Sequence, residues 1–88
     1  MLEVVAKGLS APSRSEVADK LDSVLAGHLS RSGASTWAMQ WVAADADVAD
    51  QVVWDILTRV GMIDLTHGEG EPYLFSDEQV AEWRAELG

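Results

Sequence analysis

What most limits the fold of this chain is the recurrence of its apolar residues. Ala34, Trp37, Ala38, Trp41 and Val42 stand at i, i+3, i+4, i+7 and i+8, which places all five on one face of a single helix. Val17, Leu21, Val24 and Leu25 repeat the pattern at i, i+4, i+7 and i+8, and Val53, Ile56, Leu57 and Val60 form a third stripe. Helix-starting chemistry falls where each stripe needs it. Ser13 and Glu16 have the S-x-x-E spacing of a capping box, behind Pro12, which blocks backward extension. Ser30 or Ser32 opens the second helix, and Gly27 closes the first. Ser76 and Gln79 form a second capping box, opening a last helix with Val80, Trp83 and Leu87 inward and Asp77 and Glu78 in its first turn.

Between the third and last helices the pattern changes. Gly61 is expected to end the third helix in a left-handed conformation, and "MIDL" and "YLF" are short enough for strands flanking the turn formers of "THGEGEP". Pro72 then falls at a strand start, where its missing donor does no harm. The expected fold is mainly α: one small domain over residues 1–88, four helices with a short β-hairpin before the last, winged-helix-like in order. Its helical core runs over 13–88, and residues 1–12 are expected to be flexible. Eighty-eight residues leave room for one core, and with no cysteine neither disulfides nor thiolate metal sites contribute. No run of about 18 apolar residues occurs, so no membrane span is expected, and no cleavable signal is legible at the start. A cytoplasmic protein is the expectation.

The formal charge of −9 sits in one part of the chain. Residues 1–31 balance four acids with four bases, whereas residues 32–88 hold eleven acids against Arg59 and Arg84. Some of these acids need no functional explanation, because Asp45, Asp47 and Asp50 stand between two helices, where aspartate caps the second.

The motifs for chemistry fail one by one. "DADVAD" places Asp45 and Asp47 at positions one and three of a calcium loop, but position six is Asp50 where glycine is required, and position twelve is Ile56 where a glutamate should stand. His67, Glu69 and Glu71 share a glycine-rich loop with too few fixed ligands for a transition metal, and His28 stands apart after the first helix. Neither a nucleophile elbow nor a phosphate-cradling glycine loop with its lysine is present. No enzyme, metal or cofactor is expected.

For a DNA reader, the second and third helices and the hairpin would supply helix-turn-helix and wing. Residues 45–75, however, carry one base against seven acids, and phosphate contact needs Lys or Arg. Nucleic acid therefore reads as an unlikely partner. Trp54 lies off the apolar stripe of the third helix, between Asp50 and Asp55. A tryptophan ringed by acids is what an anchor for a basic partner would look like.

"SRSGASTWAMQWVAAD", "VVWDILTRVGMIDL" and "YLFSDEQVAEW" together resemble a group of small acidic bacterial proteins sharing S-R-x-x-A-x-x-W-A, then V-W-x-x-L, then Y-L followed by W. The matching positions are Ser30, Arg31, Ala34, Trp37, Ala38, Val53, Trp54, Leu57, Tyr73, Leu74 and Trp83, with a closing gap one residue longer than the pattern and Gly33 where a helix-favouring acid is commoner. The group is uncharacterised and similar to immunity-type proteins in size and charge. The resemblance implies a shared fold.

The expected function is an acidic protein–protein interaction module, an immunity-type or inhibitory partner of a basic protein, binding through Asp45, Asp47, Asp50, Trp54 and Asp55. Two alternatives stand beside it: a winged-helix-like transcriptional regulator contacting nucleic acid, and a structural protein whose acidic surface only confers solubility. The oligomeric state is open at this stage.

Overall fold

The computed structural model describes residues 10–88, and the flexible leader expected over residues 1–12 lies outside the described residues as far as residue 9. Among the described residues there are four helices: α1 (Arg14–Leu25), α2 (Arg31–Val42), α3 (Gln51–Val60) and α4 (Asp77–Glu86). Each begins at a side chain that satisfies a free backbone donor. Ser13 and Ser76 form full capping boxes with Glu16 and Gln79, Ser30 accepts from Gly33 N, and Asp50 accepts from Val52 N and Val53 N. After α1, the C-cap is Ala26 and the chain reverses at Gly27 with φ +82°, a conformation that costs glycine no side-chain clash.

The three stripes and α4 meet in one core. Val17 and Leu21 of α1, Ala34, Ala38 and Trp41 of α2, Val53, Ile56, Leu57 and Val60 of α3, and Val80 and Trp83 of α4 are buried, with Leu87 just beyond. α2 packs most extensively against α3, and α1 against α4. The small side chains of Ala34 and Ala38 permit that close α2–α3 approach, and both are fully buried. Trp37 meets Trp41 edge-on at 5.0 Å, and Phe75 meets Trp83 the same way at 5.0 Å. Trp41 also donates from its indole to the Ser10 carbonyl at 2.9 Å, and Pro12 is buried, so the approach to α1 is fixed from Ser10 onward. Leu25, placed on the α1 stripe by its spacing, is instead exposed at the helix end.

The expected hairpin does not form; among the described residues there is only an isolated antiparallel bridge, Thr66 to Tyr73. Gly61 is not left-handed either: its φ is −59°. The two departures share a cause. Met62 N donates to Arg59 O and Ile63 N to Val60 O, so the chain keeps turning past α3 and drops Ile63 into the core, fully buried. What is tight at Gly61 is proximity rather than φ, since an added Cβ would sit 3.0 Å from the Met39 sulfur and that exposed side chain would have to give by a few tenths of an ångström. The carbonyls of Ile63 and Phe75, which could have served a β-ladder, accept from Arg31 instead. What survives of the wing is a loop whose turn closes through Glu71 N donating to Gly68 O, flanked by His67 N to Pro72 O and Leu74 N to Leu65 O.

Candidate functional site

α3 and its cap carry three of the five residues singled out by sequence, Asp50, Trp54 and Asp55. Its apolar face is consumed by the core, which leaves Gln51, Trp54, Asp55, Thr58 and Arg59 on the outer flanks. Trp54 is half-buried and stands outside the core cluster. Beside it, Gln51 donates from Nε2 to Asp55 Oδ1 at 2.8 Å, and Thr58 Oγ1 donates to the Asp55 carbonyl at 2.7 Å. These bonds fix the orientation of the polar groups along one flank.

Asp50 is the most heavily used of the five residues singled out by sequence. Its Oδ1 caps α3 at 3.0 Å from Val52 N and 3.4 Å from Val53 N. Arg14 clasps the same carboxylate with two bonds, Nε to Oδ2 at 2.7 Å and Nη2 to Oδ1 at 3.1 Å. The Arg14 hydrogen bond, helped by the backbone donors, holds the Asp50 carboxyl below the usual aspartate range. The same contact raises Arg14 above the ordinary guanidinium value. Asp45 and Asp47 are exposed on the connection from α2, Asp45 in the left-handed region with φ 51°. Asp50, Trp54 and Asp55 thus share α3 and its cap, whereas Asp45 and Asp47 precede them without entering any of these contacts.

The bases explain more of the surface than the acids do. Besides Arg14, Arg59 pairs with Glu86 at 2.9 Å and Arg84 with Asp22 at 3.0 Å. Lys20 places its ammonium 5.4 Å from the centre of the Trp37 ring. Arg31, only 9% exposed, donates from Nη1 to Ile63 O at 3.1 Å and Phe75 O at 2.7 Å, and from Nη2 to Asp77 Oδ1 at 2.8 Å. Its guanidinium also stacks 4.2 Å from the Tyr73 ring centre. Every base among the described residues is therefore engaged within the chain.

Sequence reasoning placed Arg31 in the shared pattern but gave it no role, and a signal for one was available. It is the first residue of α2, where the helix dipole disfavours a cation. An arginine there needs acceptors from elsewhere in the fold, and the loop after α3 provides them.

Two open clefts, each of about 270 Å³, flank α1. One, between α1 and α4, is lined by Arg14, Ala18, Asp19, Arg84 and Leu87; the other by Glu16, Asp19, Lys20, Ser23 and Trp37. Among the described residues no three His, Cys, Asp or Glu side chains gather closely enough to hold a metal ion. None of their helices is long and apolar enough to cross a membrane.

Comparison with known proteins places the chain in a family. The model of a family described as YxzC DNA-binding protein matches residues 4–87. The chain is also similar to "Uncharacterized protein YxzC" of Bacillus subtilis (strain 168), at 38% identity over 84 residues, covering 94% of this chain and 68% of the relative. No solved structure matches. These findings agree with a group of small uncharacterised bacterial proteins.

The family description overturns the expectation of an immunity-type or inhibitory partner of a basic protein, and with it the judgement that nucleic acid is an unlikely partner. The physical fault lay in treating formal charge as a docking face. Asp50, Asp77, Glu86 and Asp22 are matched by arginines of the same chain, two of them, Arg14 and Arg31, from the charge-balanced first third.

Proposed function

We propose that this chain, which belongs to the family of YxzC DNA-binding proteins, is a small regulator that contacts nucleic acid through the outer flank of α3. The observation that carries the reading is the family match over residues 4–87. The order of elements supports it: α2 and α3 pack together as a helix pair, followed by a short bridged loop and a last helix.

The charge distribution then dictates how such contact works. Phosphate binding gains its energy from lysines and arginines that displace condensed counterions. Here Arg14, Arg59 and Arg84 are partly exposed, and each would exchange a carboxylate of its own chain for a phosphate. Such an exchange frees a negative charge beside the DNA and yields little net electrostatic gain. Affinity must therefore rest on groups that read bases. Gln51, at the first position of α3, has the donor and acceptor pair that suits adenine, and the Asp55 carboxylate suits the cytosine amino group. Trp54 offers an aromatic face to an unstacked base or a thymine methyl. Asp45 and Asp47, on the approach to α3, repel phosphate and suppress binding to arbitrary sequence. In this reading the acidic surface sharpens discrimination at the expense of affinity.

Selection from a random-sequence duplex pool tests the proposal. Repeated rounds with the full chain should enrich one consistent motif, and Gln51→Ala should abolish that enrichment while leaving the circular dichroism spectrum unchanged. Recovery of no motif, or of the same motif by the variant, would count against α3 as the reader.

A further inference from the structure

The loop after α3 exposes apolar side chains that neither the core nor the proposed DNA contact uses. Met62, Leu65, Tyr73 and Leu74 stand on it, and Met39 of α2 adjoins it with its sulfur against Gly61. All five are 39–48% exposed. Backbone bonds hold the group together: Leu74 N donates to Leu65 O at 3.0 Å, Leu65 N to Met62 O at 3.1 Å, and Tyr73 bridges Thr66. A stripe of α2 fixes the loop from beneath, with Arg31 on Ile63 O and Phe75 O, and Ser35 Oγ donating to Gly61 O at 2.7 Å. The surface is held in place before anything docks on it.

We infer that this loop, with Met39, is a self-association face on which a second copy of the chain docks about a two-fold axis. Two arguments select that occupant. The first is charge. On a chain of net charge −9, a second copy meets repelling carboxylates over most of the surface. The five side chains of this group carry no charge, so an isologous contact can centre on them and leave Asp64, Glu69 and Glu71 at its rim. A basic foreign partner would gain nothing from such a centre.

The second argument is area. At roughly 200 Å² per large side chain, the five present on the order of 400 Å² of apolar surface. Interfaces are about 57% apolar, which with a polar rim gives roughly 700 Å² per partner. That approaches the ~800 Å² per partner of a standard stable interface. The composition fits as well, since Tyr and Met are enriched at interfaces and charged residues depleted at their centres.

Sedimentation equilibrium on the full chain, from about 1 to about 500 µM, tests this inference, because a self-association face must respond to concentration. A monomer–dimer equilibrium is expected, tightening as salt rises, because salt screens the repulsion between two negative protomers. DNA binding must weaken with salt, so failure of this inference and failure of the DNA reading give different results. Leu65→Ser with Leu74→Ser should weaken the dimer at least tenfold. Met39→Lys, on a helix that tolerates lysine, provides a second test should the loop variant misfold. A wild-type chain monomeric throughout the range, or a dimer unchanged by Met39→Lys and by the folded loop variant, would overturn the inference.

Discussion

Replacing Arg31 with alanine should cost more stability than any other substitution of a charged residue in this chain. Three hydrogen bonds and an aromatic contact converge on a side chain that is 9% exposed. Removing it strands the part-buried carbonyls of Ile63 and Phe75, at about 1–3 kcal/mol for each acceptor left without a partner. Water reaching one of them leaves about 1–3 kcal/mol for the other. Loss of the Tyr73 contact adds about 0.5–1 kcal/mol. The Asp77 bond adds little, because that carboxylate is 76% exposed and such pairs are worth about 0–1 kcal/mol. The sum is about 2–4 kcal/mol, against a total of about 4–13 kcal/mol for a domain of this size. Melting should fall by roughly 8–32 °C at about 4–8 °C per kcal/mol. Urea unfolding followed by tryptophan fluorescence measures the difference, with Asp77→Asn as a control expected to lose less than about 1 kcal/mol. An Arg31→Ala protein within about 0.5 kcal/mol of wild type, or an Asp77→Asn protein as unstable as Arg31→Ala, would refute the assignment of the energy to the two carbonyls.

Asp50 should give the chain an acid-sensitive step. Its folded-state pKa is lowered by Arg14, so the stabilisation is present above the unfolded aspartate value near ~3.9 and is lost as pH falls through the lower folded value. The stability gap between wild type and Asp50→Asn should therefore be full near neutrality and shrink below about pH 4, as chemical unfolding at several pH values would reveal. Ile56→Ala, at a fully buried core position, should cost about 2–5 kcal/mol by the same urea assay. Asp45→Asn with Asp47→Asn should increase anisotropy-detected binding to duplexes of arbitrary sequence. Asparagine tolerates the left-handed backbone at 45, so folding should be unaffected.

The helices were legible in the sequence because capping and periodicity agree at each of them. Ser13 with Glu16 and Ser76 with Gln79 form the boxes their spacing implies, and α3 buries the expected stripe of Val53, Ile56, Leu57 and Val60. The segment 61–75 was not legible, since "MIDL" satisfies strand length while Ile63 satisfies the core, and a sequence read locally cannot weigh the two. The deciding contribution comes from Arg31, more than thirty residues earlier, which removes the carbonyls a ladder would have used. The sequence named Asp45, Asp47, Asp50, Trp54 and Asp55 but left out Gln51, which bonds Asp55, and could not show their arrangement. Asp50 reads as an exposed acid until Arg14, from a different helix, is placed on it. Pairing across the fold, not composition, decides which charges remain available to a partner.

The salt dependence of DNA binding tests the central proposal most directly, that nucleic acid is engaged by a surface whose bases, among the described residues, are already matched within the chain. Of six lysines and arginines, Arg31 is only 9% exposed and spent on its own chain, so even full engagement of the other five could give a log–log slope no steeper than about −4.5 per bound protomer at ~0.9 per phosphate. Because the exposed arginines exchange one anion for another, titration of a selected duplex should give a slope shallower than about −3 per bound protomer. A slope of about −5 or steeper per bound protomer, or no binding at low salt, would contradict the account.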